Sequence, residues 1–324
     1  MRYCYHSRYS RRSFAGVTMG LKHYAEMAAQ YLSDPAFRMD INTILGKYDS
    51  VPDEEFIRMR FRAAFGREPD LSHPKTFNEK LQWIKLHDRK PLYTTLVDKY
   101  AVKQYIADTL GPDLVVPTIA HWDKPDEITF GSLPEQFVLK CNHDSGGLVI
   151  CKNKSDLDEK QTIAFLNKRY QRSSYLPSRE WPYKDVKKCI LAEKYLEDPD
   201  HDLRDYKLFC FNGKVKCFKI DFDRFTGHHA NYYDLDGNIL KIGEAGLPPV
   251  FDRKLEIPDT LPQMVRDAEI LAKDTYFVRI DFYSVRGHVY FGEVTFFPSG
   301  GFRKFIYEGN DELWGSWISL PTDQ

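Results

Sequence analysis

The sequence predicts an α+β fold, with helices leading the chain and antiparallel strands following, and three observations carry that prediction. Helix-period patterns dominate the first 110 residues. Short apolar runs joined by tight turns, such as the Asn212-Gly213 dipeptide, fill most of the remainder. Strands and helices do not alternate regularly and no internal repeat is present. This order argues against a doubly wound parallel sheet.

Composition limits the classes of function. The 324 residues include 46 Lys and Arg against 47 Asp and Glu, so a net charge of −1 provides no overall field to recruit nucleic acid. No run of eighteen apolar residues predicts a membrane-spanning helix. The six cysteines form no Cys-x-x-Cys pair and no histidine cluster stands near them at zinc spacing. We therefore predict a protein of the reducing cytoplasm.

The N-terminal segment is basic and rich in tyrosine. Five positive residues up to Lys22 precede the first acidic residue, and no apolar segment typical of a signal peptide follows them. Residues 1–24 could therefore associate with the inner face of a membrane, or with a partner such as a glycosyltransferase. A disordered leader upstream of a start at Met19 is the alternative that we favour.

The helices are predicted from apolar periodicity and from capping residues. Thr76 and Glu79 form a Thr-x-x-Glu capping box at the start of one helix, and Gly111-Pro112 ends another. The predicted helices span residues 21–32, 52–65, 77–87, 96–110, 157–171 and 257–273.

The strands are predicted from short runs of apolar or alternating residues between turns. A chain segment at 114–122 also has extended character, although Pro117 interrupts it. The remaining predicted strands span residues 137–141, 148–151, 189–196, 205–211, 214–221, 277–282 and 288–296.

The last two predicted strands carry the strongest chemical signal. Joined by a turn at 284–287, they would bring Arg279, Asp281 and Glu293 together. A carboxylate on each of two neighbouring strands suits Mg²⁺, which takes oxygen ligands and usually bridges to substrate phosphate. The alternative is a surface hairpin with an ordinary cross-strand ion pair, and the pattern alone leaves both interpretations open.

Three other stretches suggest nucleotide contacts, each with a plainer alternative. Lys140 precedes the loop Ser145-Gly146-Gly147, whose backbone N–H groups could approach a phosphate, although an ordinary hairpin is the favoured interpretation. The segment 193–196 could offer backbone groups to an adenine edge, or could be an exposed strand end. Asp205 and Lys207 share a strand face, which a surface ion pair also explains.

The order of these weak signals resembles the ATP-grasp superfamily. In particular it is similar to the TupA-like family, the teichuronopeptide-biosynthesis type found in bacterial surface-polysaccharide loci. The resemblance extends from about Glu54 to the C-terminus. The segments that carry it are 75–83 (KTFNEKLQW), 96–103 (LVDKYAVK), 137–147, 205–214 and 292–296.

The resemblance implies an ATP-grasp fold with a defined domain division. It places an N-terminal extension at 1–50, a helical region at 51–135, a small lid subdomain with a β-hairpin at 136–196 and an antiparallel catalytic subdomain at 197–324. Many superfamily members carry Glu-x-Asn where this chain has Glu293-Val294-Thr295, so Thr295 departs from that pattern. A hydroxyl is a weaker metal ligand than an amide carbonyl.

The resemblance also implies roles for individual residues. Those assigned to ATP are Lys99, Lys140, Ser145, Gly146, Gly147, Glu193, Lys194, Tyr195, Leu196 and Lys207. Those assigned to Mg²⁺ are Asp281, Glu293 and Thr295. Arg279 would steady the reaction intermediates, with Lys140 and Ser145 also catalytic, and Ser299, Gly300 and Gly301 would hold the acceptor substrate.

The implied activity is an ATP- and Mg²⁺-dependent carboxylate–amine ligase that works through an acyl-phosphate. The carboxylate would belong to a uronic acid of a bacterial surface glycan, or to its UDP-linked precursor, and the acceptor would be an amino acid or small amine. An ATP-dependent glycan kinase is one alternative. An inactive scaffold that binds a glycan or a glycosyltransferase is another.

Overall fold

The computed structural model describes residues 21–197, 203–223, 227–253 and 255–321. Our predictions for the leader at 1–20 lie outside these described residues. The helices of the described part are α1 Leu21–Ser33, α2 Pro35–Ile44, α3 Asp53–Phe65, α4 Phe77–His87, α5 Leu92–Val97, α6 Val102–Leu110, α7 Glu159–Tyr170, α8 Leu261–Leu271 and α9 Asn310–Ser316. Among the described residues, no helix combines the length and the apolar character that crossing a bilayer requires.

Strands form two antiparallel sheets, which confirms the α+β prediction. The strands are β1 Thr118–Trp122, β2 Phe137–Cys141, β3 Leu148–Cys151, β4 Ile190–Lys194, β5 Asp205–Phe211, β6 Lys214–Phe222, β7 His229–Tyr233, β8 Ile239–Leu240, β9 Phe277–Val285 and β10 His288–Thr295. The small sheet has the order β1-β4-β2-β3, and the large sheet has the order β10-β9-β5-β6-β7-β8. The small sheet thus includes β1, which precedes the predicted start of the lid subdomain at 136.

The capping box predicted at the start of α4 is present. The Thr76 hydroxyl accepts the backbone N–H of Glu79, and the Glu79 carboxylate in turn accepts the backbone N–H of Thr76 at 3.1 Å. These bonds satisfy two N–H groups that a helix start otherwise leaves unpaired. Because α4 is buried along most of its length, its fixed start positions several side chains beside the candidate site.

The single helix predicted at 96–110 is wrong, because the chain leaves the helix at Asp98. The Asp98 backbone is extended (φ −77°, ψ 108°), and α5 and α6 lie on either side of it. Its Oδ1 accepts the N–H groups of Tyr100 and Ala101 at 2.9 and 3.2 Å and the side-chain amide of Asn142 at 2.9 Å. An aspartate that bonds its own downstream backbone competes with helix formation, so a local turn replaces the continuous helix.

The large sheet is covered on both faces. Helix α8 packs on one face, where Cys210 and Val278 lie, and α4 and α9 cover the face that bears Phe209 and Phe277. The alternation predicts a strand with one buried apolar face and one exposed polar face. This prediction is wrong, because all six residues from 277 to 282 are buried. The alternative of a surface hairpin is also wrong, since charged side chains on β9 lie inside the protein.

The small sheet has its own core. Phe137, Leu139 and Cys141 of β2 face helix α7, which contributes Leu166. The opposite face of β2 carries Val138 and Lys140, which are partly exposed. One face of the small sheet therefore supports the fold, and the other remains accessible from the cleft between the sheets.

Candidate active site

The hairpin of β9 and β10 brings its charged residues together as predicted. Glu293 lies directly opposite Asp281, and Thr295 lies opposite Arg279. Arg279 donates two hydrogen bonds to the Asp281 carboxylate at 2.6 and 2.7 Å and a third to Oε1 of Glu293 at 2.7 Å. The guanidinium therefore bridges both carboxylates in a forked geometry that lysine could not supply.

The two carboxyl groups have opposite pKa shifts. Burial dominates at Asp281 and raises its pKa to about 6, although Arg279 and Lys207 oppose the shift. Burial also acts against ionisation of Glu293, but the charges of Lys99 and Arg279 outweigh it and hold the pKa of Glu293 below its usual value. Glu293 is also the more accessible side chain, 31% exposed against 3% for Asp281. Glu293 is thus the ionised and more accessible carboxylate of the pair.

Lys207 continues the charged cluster into β5. Its ammonium lies 3.3 Å from Asp281 and 3.5 Å from Asp221, and it contacts Asp205. Lys207 is 7% exposed, so the surface ion pair proposed as its plainer alternative is wrong. These contacts connect the β9–β10 hairpin to charged groups deeper in the large sheet.

Lys99 and Lys140 approach the cleft from different elements. Lys99 follows Asp98 in the turn between α5 and α6, and its ammonium lies 3.6 Å from Oε2 of Glu293. Lys140 lies on β2 and forms an ion pair with Glu193 of β4. A small cleft, partly open to solvent, has both lysines in its wall. Its lining residues are Lys99, Lys103, Val115, Val116, Lys140, Glu193, Phe291 and Gly292.

Lys103 is a cleft residue that sequence reasoning missed. Its ammonium lies 2.6 Å from Oε1 of Glu193 and donates to the backbone carbonyl of Val116 at 2.6 Å. The alternative that residue 193 belongs to an exposed strand end is wrong, because Glu193 is only 5% exposed. No local signal marks Lys103, because its partner Glu193 lies 90 residues further along the chain.

The glycine loop after β2 is anchored to helix α7. Asp144 accepts two hydrogen bonds from Arg169 at 2.5 and 2.7 Å, and Gly146 packs so closely on Arg169 that a Cβ there would overlap the guanidinium. Ser145 is exposed and Gly147 is buried against Cys141. The loop also meets the turn that carries Lys99, whose N–H donates to the carbonyl of Asn142 at 3.1 Å.

The remaining residues assigned to ATP lie at the end of β4. Lys194 is exposed, and its backbone N–H donates to the carbonyl of Pro117 at 3.0 Å. Tyr195 and Leu196 follow the strand and are half-buried, with the Lys152 ammonium 5.7 Å from the Tyr195 ring. Of this segment, only Glu193 lies among the residues that line the cleft.

The segment Ser299–Gly301 packs against α4 through backbone carbonyls. All three residues have positive φ angles, from 54° to 72°, and a Cβ at Gly300 would lie 2.5 Å from the Cβ of Ser178. Lys85 donates to the carbonyl of Gly300 at 2.8 Å, and Gln82 donates to that of Gly301 at 2.6 Å. Ser299 is exposed while both glycines are buried, so only Ser299 offers a side chain outward.

Lys85 is a second residue that sequence reasoning missed. It is fully buried, and burial lowers its pKa to about 7. Its ammonium donates to Gln82, to the carbonyl of Ser178 at 2.7 Å and to that of Gly300. Three acceptors satisfy the three N–H bonds of a lysine, so Lys85 joins α4, the 178–180 segment and the 299–301 segment.

The oxygen donors at the hairpin fit Mg²⁺ in chemical type. Asp281 and Glu293 are adjacent carboxylates, and Glu293 faces Lys99 at the cleft. Within the described ranges, no group of three or more histidine, cysteine or acidic side chains has the geometry of a metal site. A metal here would therefore use these two carboxylates together with phosphate oxygens of a bound substrate.

Solved structures similar to the chain include several ATP-grasp ligases. A D-alanine–D-alanine ligase from Bacillus anthracis, complexed with ATP, is 17% identical over 62% of this chain and 53% of its own, with a TM-score of 0.36. The Helicobacter pylori D-alanine–D-alanine ligase is 14% identical over 75% and 69%, with a TM-score of 0.41. A RimK-domain ATP-grasp protein from Sphaerobacter thermophilus is 11% identical over 70% and 69%, with a TM-score of 0.37. This chain spans little more than half the length of the Bacillus ligase that it matches.

A comparison with curated proteins found no match. A family model described as TupA-like ATPgrasp matches residues 79–319. That range contains both sheets and every residue assigned above to ATP, Mg²⁺ or substrate. The predicted resemblance is confirmed, and the chain belongs to the TupA-like ATP-grasp family.

Proposed function

We propose that this protein is an ATP- and Mg²⁺-dependent carboxylate–amine ligase. The observation that carries the proposal is the Arg279 fork, which holds two opposed carboxylates, Asp281 and Glu293, while Glu293 also faces Lys99 at the cleft. Family membership supports the same chemistry. Cations and carboxylates arranged around one cleft suit a reaction in which negative charge on phosphate oxygens must be held and redistributed.

The reaction proceeds in two balanced steps. A substrate carboxylate oxygen attacks the γ-phosphorus of ATP, so that an acyl-phosphate forms and ADP leaves. An amine nitrogen then attacks the acyl carbon, the C–O bond to phosphate breaks, and the amine loses a proton as the amide forms. Mg²⁺, when bound by Asp281 and Glu293 with Thr295 as a weaker third ligand, supplies Lewis-acid neutralisation of phosphate charge.

This chain's own residues bind and orient the reactants. Lys99, Lys140 and Lys207 neutralise phosphate oxygens, and Arg279 stabilises the acyl-phosphate and the tetrahedral intermediate. Closure of the Ser145–Gly147 loop excludes water, so that the acyl-phosphate reaches the amine before it hydrolyses. The backbone of 193–196 holds adenine, and Ser299–Gly301 receives the acceptor.

The proposed carboxylate is a uronic acid of a bacterial surface polysaccharide, or its UDP-linked precursor. The acceptor is an amino acid or a small amine. This part of the proposal rests on the family context. It places the enzyme in the cytoplasm, at the inner face of the membrane if residues 1–24 associate with lipid.

The test is Mg²⁺-dependent phosphate release from ATP, with uronic acids and UDP-uronates screened against a panel of amines. We expect release only when both partners are present, and loss of release in Glu293→Gln, which removes the charge of the accessible carboxylate. Glu269→Gln, at the surface ion pair with Lys214, is the matched control and should keep full activity.

Product analysis separates the ligase from its rival. A ligase leaves an amide in the product and inorganic phosphate in solution, whereas a glycan kinase leaves phosphate on the sugar and needs no amine. Phosphate transfer to a sugar hydroxyl would therefore overturn the proposal. Binding of ATP without turnover of any pair, unchanged in Glu293→Gln, would point to a scaffold.

A further inference from the structure

One buried carboxylate in the cleft is shared between two lysines. Glu193 places Oε1 2.6 Å from the ammonium of Lys103, and its Oε2 contacts the ammonium of Lys140. The three side chains are 6%, 13% and 19% exposed, respectively. Lys103 has a second anchor, the carbonyl of Val116 at 2.6 Å. Lys140 is therefore the more accessible of the two cations.

The carboxylate depends on both cations for its charge. Burial alone would raise the pKa of Glu193, but Lys140 and Lys103 outweigh burial and keep that pKa below its usual value. A buried ion that loses a partner has a large desolvation cost, so it will bind any remaining partner more tightly. With Lys103 absent, Lys140 would be the sole counterion of Glu193.

Phosphate and Glu193 compete for the same ammonium. If Lys140 binds a nucleotide phosphate, its contact with Glu193 must weaken, and Glu193 must keep another counterion to remain ionised inside the protein. Lys103 meets that need, because it lies on the other carboxylate oxygen and is fixed by a backbone carbonyl. Its position on α6 lies outside the small sheet that carries Lys140 and Glu193.

We propose that Lys103 is a positioning residue that acts on nucleotide binding through Glu193, by retaining that carboxylate when phosphate takes Lys140. The inference rests on the proposed function only in that the ligand of Lys140 is the phosphate of ATP. Lys103 itself does not touch the nucleotide. Its effect on ATP affinity therefore depends on the negative charge of Glu193.

A double-mutant cycle on Mg·ATP binding, measured by calorimetry, tests this dependence. Lys103→Met should raise the dissociation constant about tenfold, the usual effect of losing one buried hydrogen bond between charged groups. In the Glu193→Gln background the same substitution should change the constant less than twofold, because no buried charge remains to compete for Lys140. Lys103→Arg should restore most of the affinity.

Each outcome separates the inference from the proposed function. A tenfold loss that persists in the Glu193→Gln background would mean that Lys103 contacts the nucleotide directly, and would overturn the inference alone. Absence of Mg·ATP binding by the wild type would overturn the proposed function, and the inference with it. Lys187→Met, at an exposed lysine between α7 and β4, is the control and should bind as the wild type does. Thermal unfolding of each variant identifies any that fails to fold. If Lys103→Met fails to fold, the Mg·ATP affinity of Lys103→Arg is compared with that of the wild type in its place.

Discussion

The two sheets differ in how their buried polar and charged side chains are arranged. In the large sheet, a single row of polar side chains lies directly opposite one another across five strands, from Glu293 through Asp281, Lys207 and Lys219 to Tyr232. In the small sheet, the buried charge is the Glu193 carboxylate with its two lysines. The first arrangement is a continuous network, and the second is a local pair of contacts beside a cleft.

The network continues beyond the row at its far end. Lys219 lies 3.1 Å from Glu244, which also contacts Tyr232 and Arg303. Lys207, Lys219 and Glu244 each have at least two partners of opposite charge, so no single ligand can reorient one of them without disturbing the others. The large sheet therefore suits a rigid reaction platform, whereas the small sheet can exchange a counterion for a ligand.

The hydrophobic core of the large sheet is more extensive than that of the small sheet. The core of the large sheet gathers side chains from Phe77 to Leu320, including the buried Trp314. The core of the small sheet draws on the shorter range from Ile128 to Ala192. Since stability scales with buried apolar area, we expect the small sheet to open more readily than the large one.

The largest effect is expected from Arg279→Met, which breaks the network at its β9–β10 end. The change leaves the buried Asp281 without its closest cationic partner, and breaking a buried ion pair costs about 3–5 kcal/mol of unfolding free energy. Urea denaturation measures the loss. Arg62→Met, at the exposed pair with Glu68, is the control and should leave the midpoint unchanged. Equal midpoints for both variants would contradict the network interpretation.

The far end of the network should appear in the pH dependence of stability. Burial would raise the pKa of Glu244, but Arg303 and Lys219 outweigh it and lower the pKa from 4.5 to about 2. A carboxyl whose folded pKa is depressed stabilises the fold above its unfolded pKa and loses that contribution as the pH falls through the folded pKa. We therefore expect about 3 kcal/mol to be lost between pH 4.5 and 2. Denaturation of Glu244→Gln across this range should show a shallower slope, and an unchanged slope would contradict the assignment.

Gly146→Ala should loosen the small sheet alone. The added methyl overlaps the Arg169 guanidinium and displaces it from Asp144, an overpacking that costs about 1–3 kcal/mol. Hydrogen exchange should accelerate at β2 and β3 while the large sheet keeps its protection. Gly131→Ala, whose new methyl would meet no atom within 4 Å, is the control. Faster exchange throughout both sheets would mean that the two cores unfold as one.

The smallest effect is expected from Lys187→Met. Lys187 lies 3.1 Å from Asp123, but the two side chains are 84% and 63% exposed, so solvent screens the pair. We expect no measurable shift in the unfolding midpoint. A clear destabilisation would show that charge on the small sheet contributes more than its exposure implies.

The sequence was informative wherever the signal is local. The capping box of α4 and the strands β9 and β10 follow from spacing and alternation over a few residues. The direct opposition of Asp281 and Glu293 does not, because a β-bulge between Phe291 and Glu293 shifts the register. Family membership followed from the order of motifs along the chain. The break at Asp98 was missed, because the Asn142 side chain that completes its contacts lies 44 residues away.

Charge partners across the fold were not predictable in the same way. Lys103 lies 90 residues before Glu193, and Lys85 lies 215 residues before Gly300, so no spacing rule relates them. Burial was equally hidden, since an alternating strand such as β9 looks half-exposed until helices cover both of its faces. The amino-acid sequence alone does not distinguish a buried lysine from a solvated one.

By itself, the sequence determined the α+β class, the family and the proximity of Asp281 to Glu293, because backbone periodicity and turns act over short separations. Only the tertiary structure decided which charges are buried and which partners they keep. That decision depends on the dielectric environment and on contacts between distant segments, and both arise only when the chain is packed. For this reason Arg279 emerges as the bridge between Asp281 and Glu293, and Lys103 as the second partner of Glu193.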